Sequence, residues 1–322
     1  MTVRLLRAAD LEIACPMAEA IDAVADGFTA LSAGQATVPV RLSVPLRHGG
    51  VALTMPAALV GSSSYSVKVV TVVPRNVLAG RPVVMGTVLL GDSATGELLA
   101  LIDGTALTAL RTGAAGGVAA RELSRSGASR VALFGAGAQA RAQLTALACV
   151  RAITDVRVVA RDPAHAAALR QWAAGQRGLG AIAIHAAAPK DAVADADIVI
   201  TATTSPTPVF QGGWLGPGVH VTAVGSFTPQ MRELDEDTLR GARLVVDQRA
   251  AALAEAGELQ GRSERDVVEM GEVLSGRQQG RNDDLQRTVF KSVGNAIQDL
   301  VVAARAYERA RAQAIGEELA FP

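Results

Sequence analysis

The spacing of Gly135, Gly137 and Ala140 is the most specific indication of a ligand-binding site in this sequence. Gly135 permits a tight turn, Gly137 lets backbone N–H groups approach a pyrophosphate, and Ala140 keeps a following helix close to a sheet. The N-terminus of that helix presents unpaired N–H groups and the positive end of its dipole to phosphate. Because an apolar strand precedes the loop and an Ala-rich helix follows it, the pattern predicts a dinucleotide site. An ordinary glycine turn is the alternative.

The residues at the end of the next strand indicate which of the two nicotinamide nucleotides is preferred. Enzymes that use NAD usually place an acidic residue there to bind the ribose hydroxyls. This chain has Ala160 followed by Arg161 and Asp162. An arginine can bind a 2′-phosphate with its planar fork, so the pattern favours NADP(H) over NAD(H). In the alternative, Arg161 is a solvated surface residue and Asp162 binds the ribose.

Two cations are candidates for binding a small carboxylate. Lys68 is one of three lysines in the chain, with Lys190 and Lys291, and lies in an apolar strand. A charge there must be paired or lie in a cleft. Arg111 falls in the helix that leads to the dinucleotide segment, and it can bind a small carboxylate bidentately. The alternatives are a structural Lys68 and an interdomain salt bridge for Arg111.

The elements that would position these residues change character along the chain. Strand patterns with Gly and Pro turns predict a mixed sheet, with strands at 38–44, 51–55, 65–73, 83–90 and 97–102. From 130 onward strands alternate with helices, which predicts a parallel, doubly wound sheet. Beyond Val289 the pattern predicts one long helix to about Ile315 that returns to the first domain. The charged segment Glu255–Arg265 is expected to be solvated.

Composition excludes several classes. The 322 residues carry 31 basic and 31 acidic side chains, so no charge excess predicts nucleic acid or membrane partners. No run of about 18 apolar residues and no signal peptide is recognised. Cys15 and Cys149 are expected to be buried thiols in a reducing compartment. No histidine or cysteine spacing predicts a metal site. A soluble, cytoplasmic enzyme is the expectation.

Several motifs together resemble the ornithine cyclodeaminase/mu-crystallin family. The matching stretches are Val67–Pro74, Asp103–Ala114, the Gly135 loop, Ala223–Pro229 with Arg232-Glu233-Leu234, and Phe290–Gly294. The resemblance implies an α/β fold with a Rossmann-type doubly wound parallel sheet at residues 115–299. It also implies a discontinuous α+β domain for substrate binding and dimerisation at residues 1–114 and 300–322. The active site would lie between them, in a homodimer.

The resemblance also implies roles for individual residues. The substrate carboxylate and its neighbouring nitrogen would be held by Arg41, Lys68 and Arg111, and pocket walls would be Thr87, Val293 and the residue at 227. Arg41 on pattern alone could equally be a surface charge. Cofactor contacts would be Thr112, Gly135, Gly137, Ala138, Gln139, Arg161, Thr203, Thr204 and Val224.

One departure from the family pattern bears on the reaction. Ornithine cyclodeaminases have an aspartate after the segment equivalent to Val224-Gly225-Ser226, and this chain has Phe227. Phenylalanine cannot accept a proton or pair with a substrate ammonium. The expected reaction is therefore NADPH-dependent reduction of a cyclic ketimine carboxylate, Δ1-pyrroline-2-carboxylate or Δ1-piperideine-2-carboxylate, with Lys68 as the catalytic residue. The alternatives are ornithine cyclodeaminase, another amino-acid dehydrogenase, and a non-catalytic NADP(H)-binding protein.

Overall fold

The structure is a computed structural model that describes residues 2–320. Its strands, numbered along the chain, are β1 (Thr2–Leu6), β2 (Ala36–Thr37), β3 (Leu42–Pro45), β4 (Val51–Leu59), β5 (Ser64–Val72), β6 (Val84–Asp92), β7 (Leu98–Asp103), β8 (Arg130–Phe134), β9 (Asp155–Val159), β10 (Ala183–Ala186), β11 (Ile198–Thr201), β12 (His220–Ala223), β13 (Arg243–Val246), β14 (Val268–Glu269), β15 (Thr288–Lys291) and β16 (Glu317–Ala320). Its α-helices are α1 (Ala8–Ala14), α2 (Met17–Ser32), α3 (Gly104–Leu123), α4 (Ala138–Val150), α5 (Pro163–Ala174), α6 (Pro189–Ala194), α7 (Glu236–Leu239), α8 (Arg249–Glu255), α9 (Met270–Leu274) and α10 (Ala296–Gln313).

The chain forms two compact units. Unit 1 comprises Met1–Arg111 and Asn295–Pro322, and unit 2 comprises Thr112–Gly294. The sequence predicts boundaries after residues 114 and 299, and the units divide after residues 111 and 294. Within residues 2–320, no helix has both the length and the apolar character needed to cross a membrane.

Unit 1 is built on a mixed sheet with the strand order β16-β1-β7-β6-β5-β4-β2, and β3 pairs with β4. The strands β4, β5, β6 and β7 pair antiparallel, whereas β1 and β7 are parallel. Alternate residues of β5, including Ser66, Lys68 and Val70, are buried. Helix α10 packs against β4, β5 and β6, and α2 packs against α10. The sheet therefore has one face covered by α10, and this is the face on which Lys68 lies.

Unit 2 contains a parallel sheet with the order β10-β9-β8-β11-β12-β15-β13-β14. Every pair in this sheet is parallel. The order runs outward in both directions from β8, which is the doubly wound arrangement. Two separate clusters of buried apolar side chains belong to this unit, as expected for a parallel sheet that is covered on both faces. The predicted α/β class with a Rossmann-type sheet is confirmed.

Three local features differ from the sequence-based prediction. Residues Thr288–Lys291 form β15 between β12 and β13, so the long C-terminal helix begins only at Ala296. The helical periodicity there is misleading because a strand paired on both sides is buried all round, and Gly294, with a φ of +82°, separates strand from helix. Cys149 is exposed, in contrast to Cys15. Strand β16, which the sequence pattern does not indicate, pairs with β1, and Glu318 of this strand forms an ion pair with Arg4.

Candidate functional site

The glycine loop lies in unit 2 between β8 and α4. Gly135 has a φ of +103°, and a Cβ at this position would lie 2.5 Å from the carbonyl oxygen of Ala202, so only glycine fits. The amide N–H of Gly135 donates to the carbonyl of Val159 at 2.9 Å, which ties the loop to the end of β9. Ala140 is fully buried, as the close approach of helix to sheet requires. The loop thus has the geometry that the sequence predicts.

The N-terminus of α4 fits a phosphate group. Gly137 is the N-cap residue and no side chain caps the helix. A Cβ on Gly137 would meet no atom within 4 Å, so the space beside this residue is open. Beside it, the amide oxygen of Gln139 is buried without a hydrogen-bond partner among the described residues, whereas Ala138 is exposed. Open space and unpaired N–H groups are the features that a dinucleotide pyrophosphate needs, because its oxygens only accept hydrogen bonds.

The end of β9 carries the residues that would read the ribose. Ala160 is half-buried and Arg161 is exposed. The side chain of Asp162 is the N-cap of α5 and accepts the N–H of Ala164 at 2.8 Å. Because the cap engages Asp162, the alternative in which this carboxylate binds the ribose loses support, and Arg161 is the charged side chain at this strand end that no described helix cap uses.

Other predicted cofactor residues follow the carboxyl ends of neighbouring parallel strands in unit 2. Thr203 and Thr204 follow β11, and Val224 follows β12 and donates its N–H to Thr201 at 3.0 Å. Thr112, near the start of the unit, is buried, and its carbonyl accepts a 2.8 Å hydrogen bond from Gln143 of α4. In open α/β sheets ligands bind at the carboxyl ends of the strands. The fold therefore brings the Gly135 loop, Arg161, Thr203 and Val224 to one edge of the sheet.

The predicted cations lie in unit 1, and they share a carboxylate that the sequence does not point to. Lys68 Nζ lies 2.7 Å from Asp299 Oδ2, and both side chains are almost completely buried. Arg111 Nε lies 3.1 Å from Asp299 Oδ1, and Arg111 Nη1 donates to Gln298 Oε1 at 2.8 Å. Asp299 is in the first turn of α10, where the helix dipole stabilises a negative charge. A single aspartate thus orients both cations.

The surroundings of Lys68 lower its pKa to about 7 in total. Burial is the largest cause of this lowering, and the positive charge of Arg111 is the second. Asp299 acts in the opposite direction through its charge and its hydrogen bond, and Arg41 contributes a smaller lowering. Lys68 and Arg111 therefore share one carboxylate in this part of unit 1. Lys68 can lose or hold a proton near pH 7, and a second anion would offset the excess positive charge.

The structure brings Arg41 to the cluster but not Thr87. Arg41 is half-buried and close enough to lower the pKa of Lys68. In the antiparallel ladder Lys68 lies opposite Val88, whereas Thr87 lies opposite Val69, so Thr87 is on the other face of the sheet and is exposed. Side chains alternate between faces along a strand. Within unit 1 Thr87 consequently does not lie beside Lys68, in contrast to the shared site that the family resemblance implies.

The two predicted apolar walls lie in unit 2. Val293 is buried in one of its hydrophobic clusters, and Phe227 is half-buried and packs against the same cluster. Phe227 therefore has a packing role and still presents part of its ring. The described residues contain no group of three or more His, Cys, Asp or Glu side chains that could hold a metal ion.

A second buried polar network has no counterpart among the sequence-based predictions. Glu258, in the segment expected to be solvated, is 2% exposed, so that expectation is wrong for this residue. Its carboxylate accepts hydrogen bonds from the Ser226 hydroxyl and from the N–H of Glu233, and Lys291 lies 3.8 Å away. The charged letters of Glu255–Arg265 hide this burial, since composition cannot distinguish a paired carboxylate from a solvated one.

Comparison with known proteins supports one family. The family model for the ornithine cyclodeaminase/mu-crystallin family matches residues 2–314. A Δ1-pyrroline-2-carboxylate reductase of Bacillus cereus is 39% identical over 314 residues, which cover 95% of this chain and 96% of that protein.

Two solved structures share the fold over nearly the whole length. The Δ1-pyrroline-2-carboxylate reductase of Thermococcus litoralis, in complex with NADH and L-proline, has a TM-score of 0.93 and 38% identity, covering 98% of this chain and 99% of that chain. An archaeal alanine dehydrogenase dimer with bound NAD has a TM-score of 0.91 and 32% identity, with complete coverage of both chains. The chain belongs to the ornithine cyclodeaminase/mu-crystallin family.

Proposed function

We propose that this protein reduces a cyclic ketimine carboxylate with a nicotinamide nucleotide. The substrate would be Δ1-pyrroline-2-carboxylate, with L-proline as the product, and Δ1-piperideine-2-carboxylate, giving L-pipecolate, is the six-membered homologue. The observation that carries the proposal is the buried cluster of Lys68, Arg111 and Asp299, which suits a small anion beside a basic nitrogen. The Bacillus and Thermococcus reductases named above are similar over nearly the whole chain.

Arg111 would bind the substrate carboxylate. Among residues 2–320, Arg111 makes two hydrogen bonds, to Asp299 and Gln298, and a guanidinium has five N–H donors. The remaining donors can form a planar, charge-assisted pair with a carboxylate. Arg41 adds positive charge to the same cluster. Binding the carboxylate would offset the excess of cations over the single Asp299.

Lys68 would supply or hold the proton at the imine nitrogen. Reduction adds a hydride to the carbon and one proton to the nitrogen of the C=N bond, which yields the secondary amine. A group that donates a proton at neutral pH needs a pKa near 7, and the pKa of Lys68 is about 7. Asp299 would act as a positioning residue, because its carboxylate fixes the ammonium of Lys68 and the guanidinium of Arg111.

The cofactor would be held by unit 2. When bound, the reduced nicotinamide nucleotide supplies the hydride. The pyrophosphate would be held by Gly135, Gly137, Ala138 and Gln139. Further contacts to the cofactor would come from Thr112, Thr203, Thr204 and Val224. Phe227 and Val293 would provide apolar walls. We propose NADP(H) as the preferred cofactor because Arg161 follows Ala160 and Asp162 is engaged as a helix cap. The Thermococcus reductase was solved with NADH, so both nucleotides belong in every assay.

A deaminating amino-acid dehydrogenase is the second candidate. The archaeal alanine dehydrogenase is 32% identical with complete coverage and was solved with NAD. Alanine, like proline, has its nitrogen on the carbon next to a carboxylate. Ornithine cyclodeamination is less favoured because Phe227 offers no carboxylate to the amine. A non-catalytic cofactor-binding protein would have no need for the buried cations around Asp299.

We further propose a homodimer that forms through the uncovered face of the unit 1 sheet. Leu42, Val44, Val69 and Met85 are exposed on β3, β5 and β6. Their register partners show that they share the face opposite Lys68. Leu42 and Val69 both lie opposite Thr54, and the next row on this face contains Val44 and Met85. A contiguous exposed apolar surface of this kind marks an association site, and the archaeal alanine dehydrogenase was solved as a dimer. Val69→Asp should give a monomer by light scattering. A dimeric variant would contradict this assignment.

The function is tested by mixing the purified protein with NADPH or NADH and each cyclic imine, and by following loss of nicotinamide absorbance with chiral analysis of the product. Turnover of Δ1-pyrroline-2-carboxylate to L-proline supports the proposal. Ammonia release from alanine or ornithine, without turnover of either imine, would establish the second candidate instead. Cofactor binding without any turnover would leave the non-catalytic protein.

A further inference from the structure

A buried carboxylate in unit 2 joins two loops at the cofactor edge of the sheet. Glu233 has no exposed surface. Its Oε1 accepts the N–H and the hydroxyl of Thr203, each at 2.7 Å. Its Oε2 accepts the N–H of Gly225 at 2.7 Å and that of Ser226 at 3.2 Å. One side chain therefore binds the segment after β11 to the segment after β12.

The two loops approach each other as closely as the backbone allows. A Cβ on Gly225 would lie 2.1 Å from the carbonyl oxygen of Thr203 and 2.4 Å from Glu233 Oε1. Glycine at 225 permits the contact, and Glu233 holds it. Four donors converge on this side chain, and only a carboxylate has two oxygens that both act purely as acceptors. A glutamine would turn an NH₂ group toward two N–H donors.

A second carboxylate fixes Glu233 itself. Glu258 accepts the backbone N–H of Glu233 at 2.7 Å and the hydroxyl of Ser226 at 2.6 Å. Lys291, at the end of β15, donates to the carbonyl and to the hydroxyl of Ser226, both at 2.6 Å. The chain of hydrogen bonds thus runs from the end of β15 to the loops after β12 and β11. Buried networks that are fully paired make a local structure rigid.

We infer that Glu233 is a positioning residue for the cofactor, acting through the Thr203–Thr204 and Val224–Ser226 segments. The inference rests on the proposed function, in which these segments contact the cofactor. The same loops end neighbouring strands of a doubly wound sheet, where a dinucleotide binds. A carboxylate that fixes their separation therefore fixes the distance between the groups that would hold the cofactor.

The test is Glu233→Gln, with Asp197→Asn as the matched control. Asp197 is a buried carboxylate of the same unit that accepts the N–H groups of Ser129 and Arg130 and an N–H of Arg125. It precedes β11 at the amino ends of the strands, so the same carboxylate-to-amide change removes similar bonds away from the cofactor edge. Dissociation constants for NADPH and NADH, kcat with the imine and thermal midpoints are measured for each variant.

We expect Glu233→Gln to lower kcat/KM by about 100-fold, because misplacing a binding group by about 1 Å has an effect of that size, and to weaken cofactor binding. Asp197→Asn should change kcat/KM and the cofactor dissociation constants by no more than about twofold, because distant sites act independently. Its thermal midpoint should also fall, because buried hydrogen bonds are lost. If Glu233→Gln does not fold, Glu233→Asp keeps the charge but is too short to reach both loops. Glu233→Asp should weaken cofactor binding more than the control variant Asp197→Asn does.

The outcomes separate this inference from the proposed function. Wild-type protein that binds cofactor but reduces neither imine contradicts the proposed function, while a selective loss of cofactor affinity at position 233 still supports the positioning role. Wild-type cofactor affinity and kcat in a folded Glu233 variant overturn the inference. An equal loss of cofactor affinity in the Asp197 control also overturns it, because the effect would then be general destabilisation.

Discussion

Replacing Asp299 with asparagine should change the pH dependence of catalysis as well as its rate. The substitution keeps the shape of the side chain and removes the one carboxylate that raises the pKa of Lys68. Burial and the charges of Arg111 and Arg41, which lower that pKa, remain. The proton on Lys68 is therefore held less tightly in the variant, and Lys68 is deprotonated at a lower pH than in the wild type.

The size of the effect follows from the geometry. Lys68 Nζ and Asp299 Oδ2 are 2.7 Å apart in a buried site. Unit charges about 4 Å apart interact by about 4 kcal/mol at an effective dielectric constant of about 20. Since about 1.36 kcal/mol corresponds to a tenfold change in a protonation equilibrium, proton affinity should fall about 1,000-fold, and kcat/KM at pH 7 about 100- to 1,000-fold.

The assay is imine reduction from pH 5 to 9, with nicotinamide fluorescence as a separate measure of cofactor affinity. The protonated fraction of the wild type saturates below pH 7, so the defect of the variant should be about tenfold smaller at pH 6 than at pH 8. Gln298→Ala is the control, because it removes a neutral partner of Arg111 and should leave the position of the pH limb in place. A defect of equal size at every pH would refute the role of Asp299 as the group that sets the pKa of Lys68.

Three further variants test separate parts of the site. Lys68→Ala should abolish reduction without changing cofactor affinity, and an active variant would show that Lys68 is not catalytic. In the wild type, kcat/KM should fall as the pH rises through about 7, because Lys68 loses its proton. Because a bound carboxylate raises the pKa of Lys68, the limb for kcat should lie at higher pH than that for kcat/KM. Arg161→Ala should weaken NADPH by about 10- to 100-fold more than NADH, from the loss of charged hydrogen bonds; equal effects would show that Arg161 does not bind the 2′-phosphate. Gly135→Ala should weaken both nucleotides and destabilise the fold by at least about 1–2 kcal/mol, the usual cost of a left-handed residue, since its φ is +103°; unchanged binding of both would contradict the loop assignment.

Much of unit 2 could be predicted because its signals are local. The Gly135 turn, the strand before it and the helix after it depend on backbone sterics within a few residues, and they appear in the structure as the sequence indicates. Ala160 and Arg161 follow β9 at the expected place. Short-range patterns of this kind specify a βαβ unit without knowledge of distant partners.

Contacts between distant parts of the chain could not be predicted in the same way. The sequence shows that Lys68 needs a partner but not that Asp299, far along the chain, supplies it. Glu258 appears in a charged segment that is typical of a solvated surface, and its burial depends on Ser226 and Lys291. The face on which Thr87 lies depends on strand register, which a motif match does not report.

The measurement that tests the central claim most directly is the reduction of Δ1-pyrroline-2-carboxylate by wild-type protein and by Lys68→Ala, with product analysis. We predict that the wild type consumes nicotinamide nucleotide and forms L-proline in equal amounts. We also predict that Lys68→Ala binds the nucleotide as the wild type does but forms no proline. Nucleotide binding by the wild type with no proline formed, or proline formation by Lys68→Ala at the wild-type rate, would contradict the proposed function of Lys68 and of the protein.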